Sequence, residues 1–467
     1  MSTSYLTRAF SNAGNQQIFT VSFWHKKIFG SGEQFPFAYA QTAGGASSNR
    51  GYFSFQGDGS ANTLKVGFNP TGSSWTSYTV QDNGANISFR DTSAWYHVVL
   101  AVDTTQATSA NRMKIYINGV QKSFDGYPTQ NFNTGFNQNT YTHDVGSYPA
   151  GRSNGYLGGN LAHFHFIDGT AYAASTFGET DSTSGIWKPK ASPSGITYGD
   201  NGFFLKFENS GAMGTDSSGN SNTFSVGGTI TQNVDTPSNN FATLNPVARD
   251  HTDTSSLSNG NLTYALSNYS LNARSSLAMT AGKWYWEYKQ SGKNLRPGVC
   301  TSGFNPNLDT DSNDAYYGNA TGRGGIYIMH TNDTTTWQRT NNNTSANRDS
   351  YTTALATGAN DIIGCALDVG TGKLHFSVNG TWLNSGNPAT GANPQITLTN
   401  SSGDPLHAFV GFNSSSSMTA HLNFGSGYFG TTAVASANAD ANGHGAMEYA
   451  VPSGFYTLNT KNIKEFG

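Results

Sequence analysis

The chain has 467 residues, 36% of them apolar and only 11% charged, with 25 Lys+Arg against 28 Asp+Glu and a formal net charge of −3. An average soluble domain is about a quarter charged, so Ser, Thr, Asn, Gln and Gly must supply the wettable surface. The near-neutral balance excludes nucleic acid as a partner, because no basic field meets the phosphate backbone. The 29 Phe, 23 Tyr and 8 Trp exclude disorder, because so many rings need a core.

At roughly 150 residues per domain the length predicts two or three domains. The opening residues lack the basic and apolar regions of a signal peptide, and no run reaches the roughly 18 apolar residues of a membrane span. The expectation is a soluble product without membrane insertion. Cys300 and Cys365 each sit in an apolar run and are expected as buried, reduced thiols.

No stretch holds a helical period, while short alternating runs bounded by Gly, Asn, Asp and Ser recur, so very little helix is expected. Strands are predicted at 19–24, 51–55, 63–68, 95–103 and 113–117, the last ending at Asn118-Gly119, which suits a type I′ turn. Residues 156–167 read as one strand with Ala162, Phe164 and Phe166 on one face and Leu161, His163, His165 and Ile167 on the other. Asp168-Gly169 ends it, Thr176 to Glu179 has capping-box spacing for one helical turn, and 202–208 is a further strand.

Residues 209–262 turn polar, which places a boundary near residue 240 and predicts domains over 1–240 and 241–467. Strands follow at 282–289, 324–329, 361–368, 373–378 and 407–412, with Asn379-Gly380 turning a hairpin. Pro237-Ser-Asn-Asn-Phe-Ala-Thr-Leu-Asn245 echoes Pro452-Ser-Gly-Phe-Tyr-Thr-Leu-Asn459, which predicts that each domain closes with a similar tail. The fold class is all-β, two antiparallel β-sandwich (jelly-roll) domains.

The run from Trp95 to Val120, a strand carrying Trp95-Tyr-His97 followed by one ending in Asn118-Gly119, resembles the central strands of concanavalin A-like (laminin G-type) jelly rolls. Residues 161–190, the segment around Phe203 and Phe204 and the Gly214 to Asn220 turn resemble virion structural proteins of marine tailed bacteriophages, a likeness spanning residues 4 to about 246. The stretches 282–289 (GKWYWEYK), 363–382 and 409–425 resemble a SPRY domain.

Retaining glucanases on jelly rolls need two carboxylates about 5 to 5.5 Å apart. Their motif is missing, and the nearest match, Glu179-Thr-Asp181, has no third acid. No nucleophile elbow, phosphate loop or zinc-protease helix occurs, so no catalytic residue is named. With a third ligand, His163 and His165 on one face could hold a metal. Sheet neighbours and water are the commoner fate of such a pair. Asp309 to Asn313 opens like a calcium loop, yet Asp314 and Ala320 stand where that loop needs Gly and Glu. Laminin G-type domains bind calcium through loop carboxylates, but nothing chooses among Asp103, Asp144 and Asp168, so no metal or cofactor is assigned. Trp75 and Trp337, in polar loops, are the candidate sugar-stacking rings; Trp382 is expected to pack down. The triplets at Asn86, Asn261, Asn319 and Asn379 follow from composition and carry no glycosylation call.

The resemblance implies a non-enzymatic phage virion protein, a tail knob, fibre tip or capsid decoration made in the host cytoplasm without a signal peptide. Its partners would be other virion proteins and a host surface glycan, and a homo-oligomer, by default a trimer, is expected. Two rivals follow from other classes: a glycan depolymerase using dispersed acids such as Glu33, Glu208 or Asp103, and an intracellular SPRY-type peptide-binding scaffold.

Overall fold

The computed structural model describes residues 3–28, 32–41, 49–56, 62–71, 75–152, 155–183, 185–191, 193–249, 255–266, 272–292, 295–304, 325–329, 335–339, 347–350, 358–398, 403–412 and 417–467, with backbone alone at 266, 335–339 and 347–350. The chain divides into two compact units, Met1–Gln232 and Asn233–Gly467. Among the described residues the one α-helix is Thr460–Phe466, and the fold is all-β with sandwich packing.

In the first unit one layer carries, side by side, Phe203–Leu205, Gly159–Asp168, Ile18–Lys27, Tyr96–Asp103, Met113–Ile117 and Val120–Phe124. The other carries Thr76–Asp82, Leu64–Asn69, Arg50–Phe55, Gln34–Ala40, Thr142–Val145, Tyr5–Ala9 and Ser225–Gly227. Val120–Phe124 pairs with both Met113–Ile117 and Thr76–Asp82, so the chain crosses between layers there. Alternate residues Phe19, Val21 and Phe23 meet Phe37, Phe53 and Val66 in a core dominated by phenylalanine. Asn118 (φ 49°) and Gly119 (φ 81°) take the two positive angles of the expected turn.

Three local expectations are corrected. In Gly159–Asp168 the register slips between Ala162 and His165, and His163 adopts φ 47°. This bulge returns Leu161 to the core side with Phe164 and Phe166, whereas strict alternation put it with the histidines. The helical turn expected from Thr176 to Glu179 is a 3-10 turn at Ala174–Thr176 followed by the strand Gly178–Thr180, paired to Trp187–Pro189. The close fit of Trp187 explains it: a Cβ at Gly178 would stand 2.5 Å from the indole.

The third concerns the echoed segments. The division falls at 232/233, ahead of residue 240, because the first echo belongs to the second unit and pairs with the second echo. Phe241 bridges Asn459, Ala242 N–H donates to the Leu458 carbonyl (3.0 Å) and Thr460 N–H to the Asn240 carbonyl (2.9 Å). The two are the entry and exit of one unit, with Leu244 and Leu458 both in its core.

That unit stacks one sheet centred on Leu406–Phe412 and Leu295–Thr301 against another centred on Lys283–Gln290 and Ile362–Asp368. In Lys283–Gln290, Trp284, Trp286 and Tyr288 point into the main core, while Tyr285 packs on the opposite face with Met447 and Phe455. Trp286 Nε1–H donates to Tyr288 Oη (2.7 Å), whose hydroxyl donates to the Phe409 carbonyl (2.7 Å), so the polar ends of the core rings are satisfied. Cys300 and Cys365 are buried free thiols, and burial pushes Cys300 up to about 12.

Leu458→Ala should destabilise the second unit by about 2–5 kcal/mol through its cavity. Urea unfolding should show that unit's transition shifted to lower denaturant and the first unit's unchanged.

Candidate functional site

His97 lies under the segment that follows Gly169, stacked on Trp24 at 4.5 Å. Trp187 Nε1–H donates to His97 Nδ1 (2.9 Å), so a neutral ring keeps its hydrogen on Nε2, which faces Ser22 Oγ at 2.9 Å. The ring therefore donates to Ser22 and cannot take its proton, so the pair is not a nucleophile and base. His165 Nδ1 shares a hydrogen with Tyr198 Oη (2.9 Å), and its ring stacks on Phe204 at 3.8 Å. His163 meets the same Phe204 ring at 5.7 Å.

The carboxylates are committed to backbone and side-chain donors. Asp168 accepts from Asn15 N–H (2.8 Å), Asn137 Nδ2 (2.6 Å) and Asn201 N–H (3.3 Å). Asp144 accepts from Ser147 Oγ (2.6 Å) and a two-pronged Arg152 (2.9 Å each). Asp103 closes its own turn through Thr105 and Gln106. Lys188 bridges Asp181 (2.9 Å) and Glu179 (3.7 Å). Glu33 accepts from Gln56, and Glu208 stands exposed 3.9 Å from Lys206. Among the described residues no three His, Cys, Asp or Glu side chains come together. The Asp309 to Asn313 segment lies outside them.

Glu287, in the second unit, accepts from Tyr285 Oη (3.0 Å), Asn423 Nδ2 (3.3 Å) and the backbone N–H groups of Glu448 and Tyr449 (2.9 Å each). Burial pushes it up to about 7 against the pull of these four donors. Its role is to tie the 446–449 segment over the sheet.

What remains open on the first unit is an aromatic shelf. In Arg50–Phe55, Tyr52 is flanked across the strands by Ala38 and Gly67. A Cβ at Gly67 would stand 2.8 Å from the Tyr52 ring, so glycine lets that ring lie down on the sheet. Trp75 packs on it at 5.2 Å with an interplanar angle of 38°, and the Arg50 guanidinium is 5.0 Å from the indole centroid. Arg50 and Tyr52 lie two apart on one strand face, and the indole rests against both. At 38% exposure Trp75 is the one aromatic among the exposed large apolar side chains described. Tyr148 and Phe35 extend the shelf, stacked at 4.8 Å, with Phe35 5.4 Å from Tyr52. Burial, the largest cause, pushes Tyr52 and Tyr148 up to about 12, so both stay neutral.

Of the two rings singled out from sequence, Trp75 is on this shelf. Trp337 lies in the strand Thr335–Arg339 of the other unit, its side chain outside the described residues. Trp382 packs down on Tyr285 (6.3 Å) and His375 (6.5 Å). Sequence reasoning missed Tyr52 and Arg50, whose signal was the polar-facing register of residues 50–55.

Residues 283–426 match the SPRY domain family. Solved structures similar to the chain include the SPRY domain of human HERC1 (16% identity, 38% of this chain and 96% of that one, TM-score 0.27). Others are the TRIM65 PSpry domain (18%, 39% and 88%, TM-score 0.28) and a heptameric SAP-like pentraxin from Limulus polyphemus (18%, 37% and 72%, TM-score 0.26). No curated protein matches the chain. The C-terminal region carries a SPRY domain, a binding scaffold for protein interaction.

Two predictions follow from the buried polar groups. His25, His97 and His143 are held down to about 3 and His165 well below its ordinary value, all by burial foremost. Protons therefore bind the unfolded first unit below pH 6.5 and not the folded one, so stability falls from about pH 6.5 toward 3, by about 1.4 kcal/mol per pH unit per histidine. Denaturant titrations across that range measure the slope. Glu287→Gln leaves an amide NH₂ against donors and should cost the second unit about 2–4 kcal/mol, read as a lower thermal midpoint for that unit.

Proposed function

We propose that the chain is a non-enzymatic structural and adhesion component of a tailed-phage particle, a knob, fibre tip or capsid decoration. The first unit, read as a concanavalin A-like jelly roll, meets host glycan, and the SPRY region meets neighbouring particle proteins. The observation that carries the binding reading is the commitment of the carboxylates and histidines to internal hydrogen bonds, beside an aromatic shelf left open to solvent. The likeness of residues 4 to about 246 to virion proteins supports the particle assignment. A sparsely charged, amide-rich exterior binds through hydrogen bonds and ring stacking, which salt screens little. Closed symmetry favours a homo-oligomer on the particle, with a trimer as the working state.

Mass spectrometry of purified particles should recover the chain at stoichiometric level, and the pure protein should release no reducing ends from host polysaccharide. Absence from particles together with recovery in cytoplasmic complexes would assign it to the intracellular peptide-binding class. Steady release of reducing ends would make it a depolymerase.

A further inference from the structure

The two-residue turn Asn83-Gly84 joins Thr76–Asp82 to the short strand Ala85–Asn86, with Asp82 opposite Ala85 and Gln81 opposite Asn86. Both turn residues are exposed and take positive angles, φ 49° at Asn83 and 82° at Gly84, the type I′ pattern. Among the described residues neither the Asn83 amide nor the Gly84 N–H has a hydrogen-bond partner, and a Cβ at Gly84 would meet nothing within 4 Å. Turning over the peptide plane between them converts type I′ to type II′. The φ of Asn83 then stays positive, its ψ moves to about −120°, and the φ of Gly84 changes sign, which glycine tolerates. The turned plane lets the Gly84 nitrogen reach Cγ of Asn83, the approach that closes a five-membered imide ring.

The other described Asn-Gly pairs are restrained. His97 N–H donates to Asn118 Oδ1 (2.8 Å), and a Cβ at Gly119 would stand 2.7 Å from the Trp187 ring. Asn379 is held at both ends, its Oδ1 accepting from Ile362 N–H (2.9 Å) and its Nδ2 donating to Asp361 (2.8 Å). Asn201 is buried, and its Nδ2 donates to the Asn12 carbonyl (2.8 Å) and to Asn137 Oδ1 (2.7 Å). Asn259 Nδ2 donates to Thr263 Oγ1 (3.0 Å), and Asn442 Nδ2 to Asn462 Oδ1 (3.1 Å). These bonds must break before the side chain can swing onto the following nitrogen. Asn154, before Gly155, lies outside the described residues.

We propose that Asn83 is a site of spontaneous deamidation, selected by the fold from among the described Asn-Gly pairs. The Gly84 backbone nitrogen, on losing its proton to hydroxide, attacks Asn83 Cγ. The N–Cγ bond forms, the Cγ–Nδ2 bond breaks, and Nδ2 leaves as ammonia with a proton from water, which restores the hydroxide. Water then opens the imide at either carbonyl and leaves an aspartyl or an isoaspartyl residue at position 83. Nothing is oxidised or reduced. The product places a new carboxylate beside Asp82, which already pairs with Lys122 (2.7 Å). The isoaspartyl form also lengthens the turn by one backbone carbon, which breaks the close pairing of Asp82 with Ala85.

The test is ageing of the full chain in mildly alkaline buffer, folded in one sample and unfolded in guanidinium chloride in another, with peptide mass mapping of amide-to-acid conversion over time. In the folded chain Asn83 should convert about tenfold faster than Asn118, Asn201, Asn259, Asn379 or Asn442, the size expected when no side-chain hydrogen bond has to open first. In denaturant that lead should vanish, because all six pairs then share the same flexible Asn-Gly chemistry. In mildly acidic buffer the folded-state conversion at Asn83 should slow in step with the hydroxide concentration. Conversion of Asn83 no faster than that of any of the other five in the folded chain, or an equal lead in denaturant, overturns the assignment. So does conversion at Asn83 that is indifferent to pH.

Discussion

Buried and half-buried carboxylates that accept several hydrogen bonds at once are the constraint on which the loops of both units depend. Asp440 receives five, from Thr457 N–H and Oγ1, Asn462 Nδ2, and the N–H groups of Asn442 and His444. Asp216 receives four, from Phe204, Ser218 twice, and Asn222. Glu287 and Asp168 do the same elsewhere. A β-sandwich of this size has long connections whose backbone groups must be paired if they are to lie against the sheets. An anion with two oxygens pairs three to five of them at one point, and charge-assisted bonds are the strong ones.

The same economy bears on function. With 28 acidic residues in 467, a chain that places several of them inside as anchors has fewer to gather in a cleft. The histidines follow suit: His97 serves as the acceptor for an indole and His165 as the partner of a phenol. Burial holds both of these imidazoles well below their ordinary pKa, so they stay neutral near pH 7. Under the binding reading proposed above, recognition would fall to exposed rings and amides, and Trp75 is the exposed ring among the described residues of the first unit.

The residues beyond the SPRY match have a structural part in its unit. The match spans 283–426, yet the unit runs from Asn233 to Gly467. Residues 233–245 and 452–460 pair with each other, Leu244 and Leu458 enter the core, and Met447 and Phe455 cover the outer face of Lys283–Gln290. Asn459 caps the helix Thr460–Phe466 by accepting from Asn462 N–H, and Asn462 in turn donates to Asp440.

Alternation and turn chemistry are local properties, so the sequence alone determined the all-β class, most of the central strands and the Asn118-Gly119 and Asn379-Gly380 turns. It did not reveal Gln34–Ala40, because Pro36 interrupts the pattern at what proves to be a register shift between Gln34 and Phe37. Nor could it place Leu161, since a bulge adds one residue without a compositional mark. The echoed segments were visible as a repeat, but whether repeats close two units or clasp one depends on which chains lie side by side. Trp75 was legible as a ring in a polar loop. Its setting over Tyr52 and Arg50, with Asn69 across the ladder, required cross-strand register, a contact between residues far apart in sequence that only the folded sheet decides.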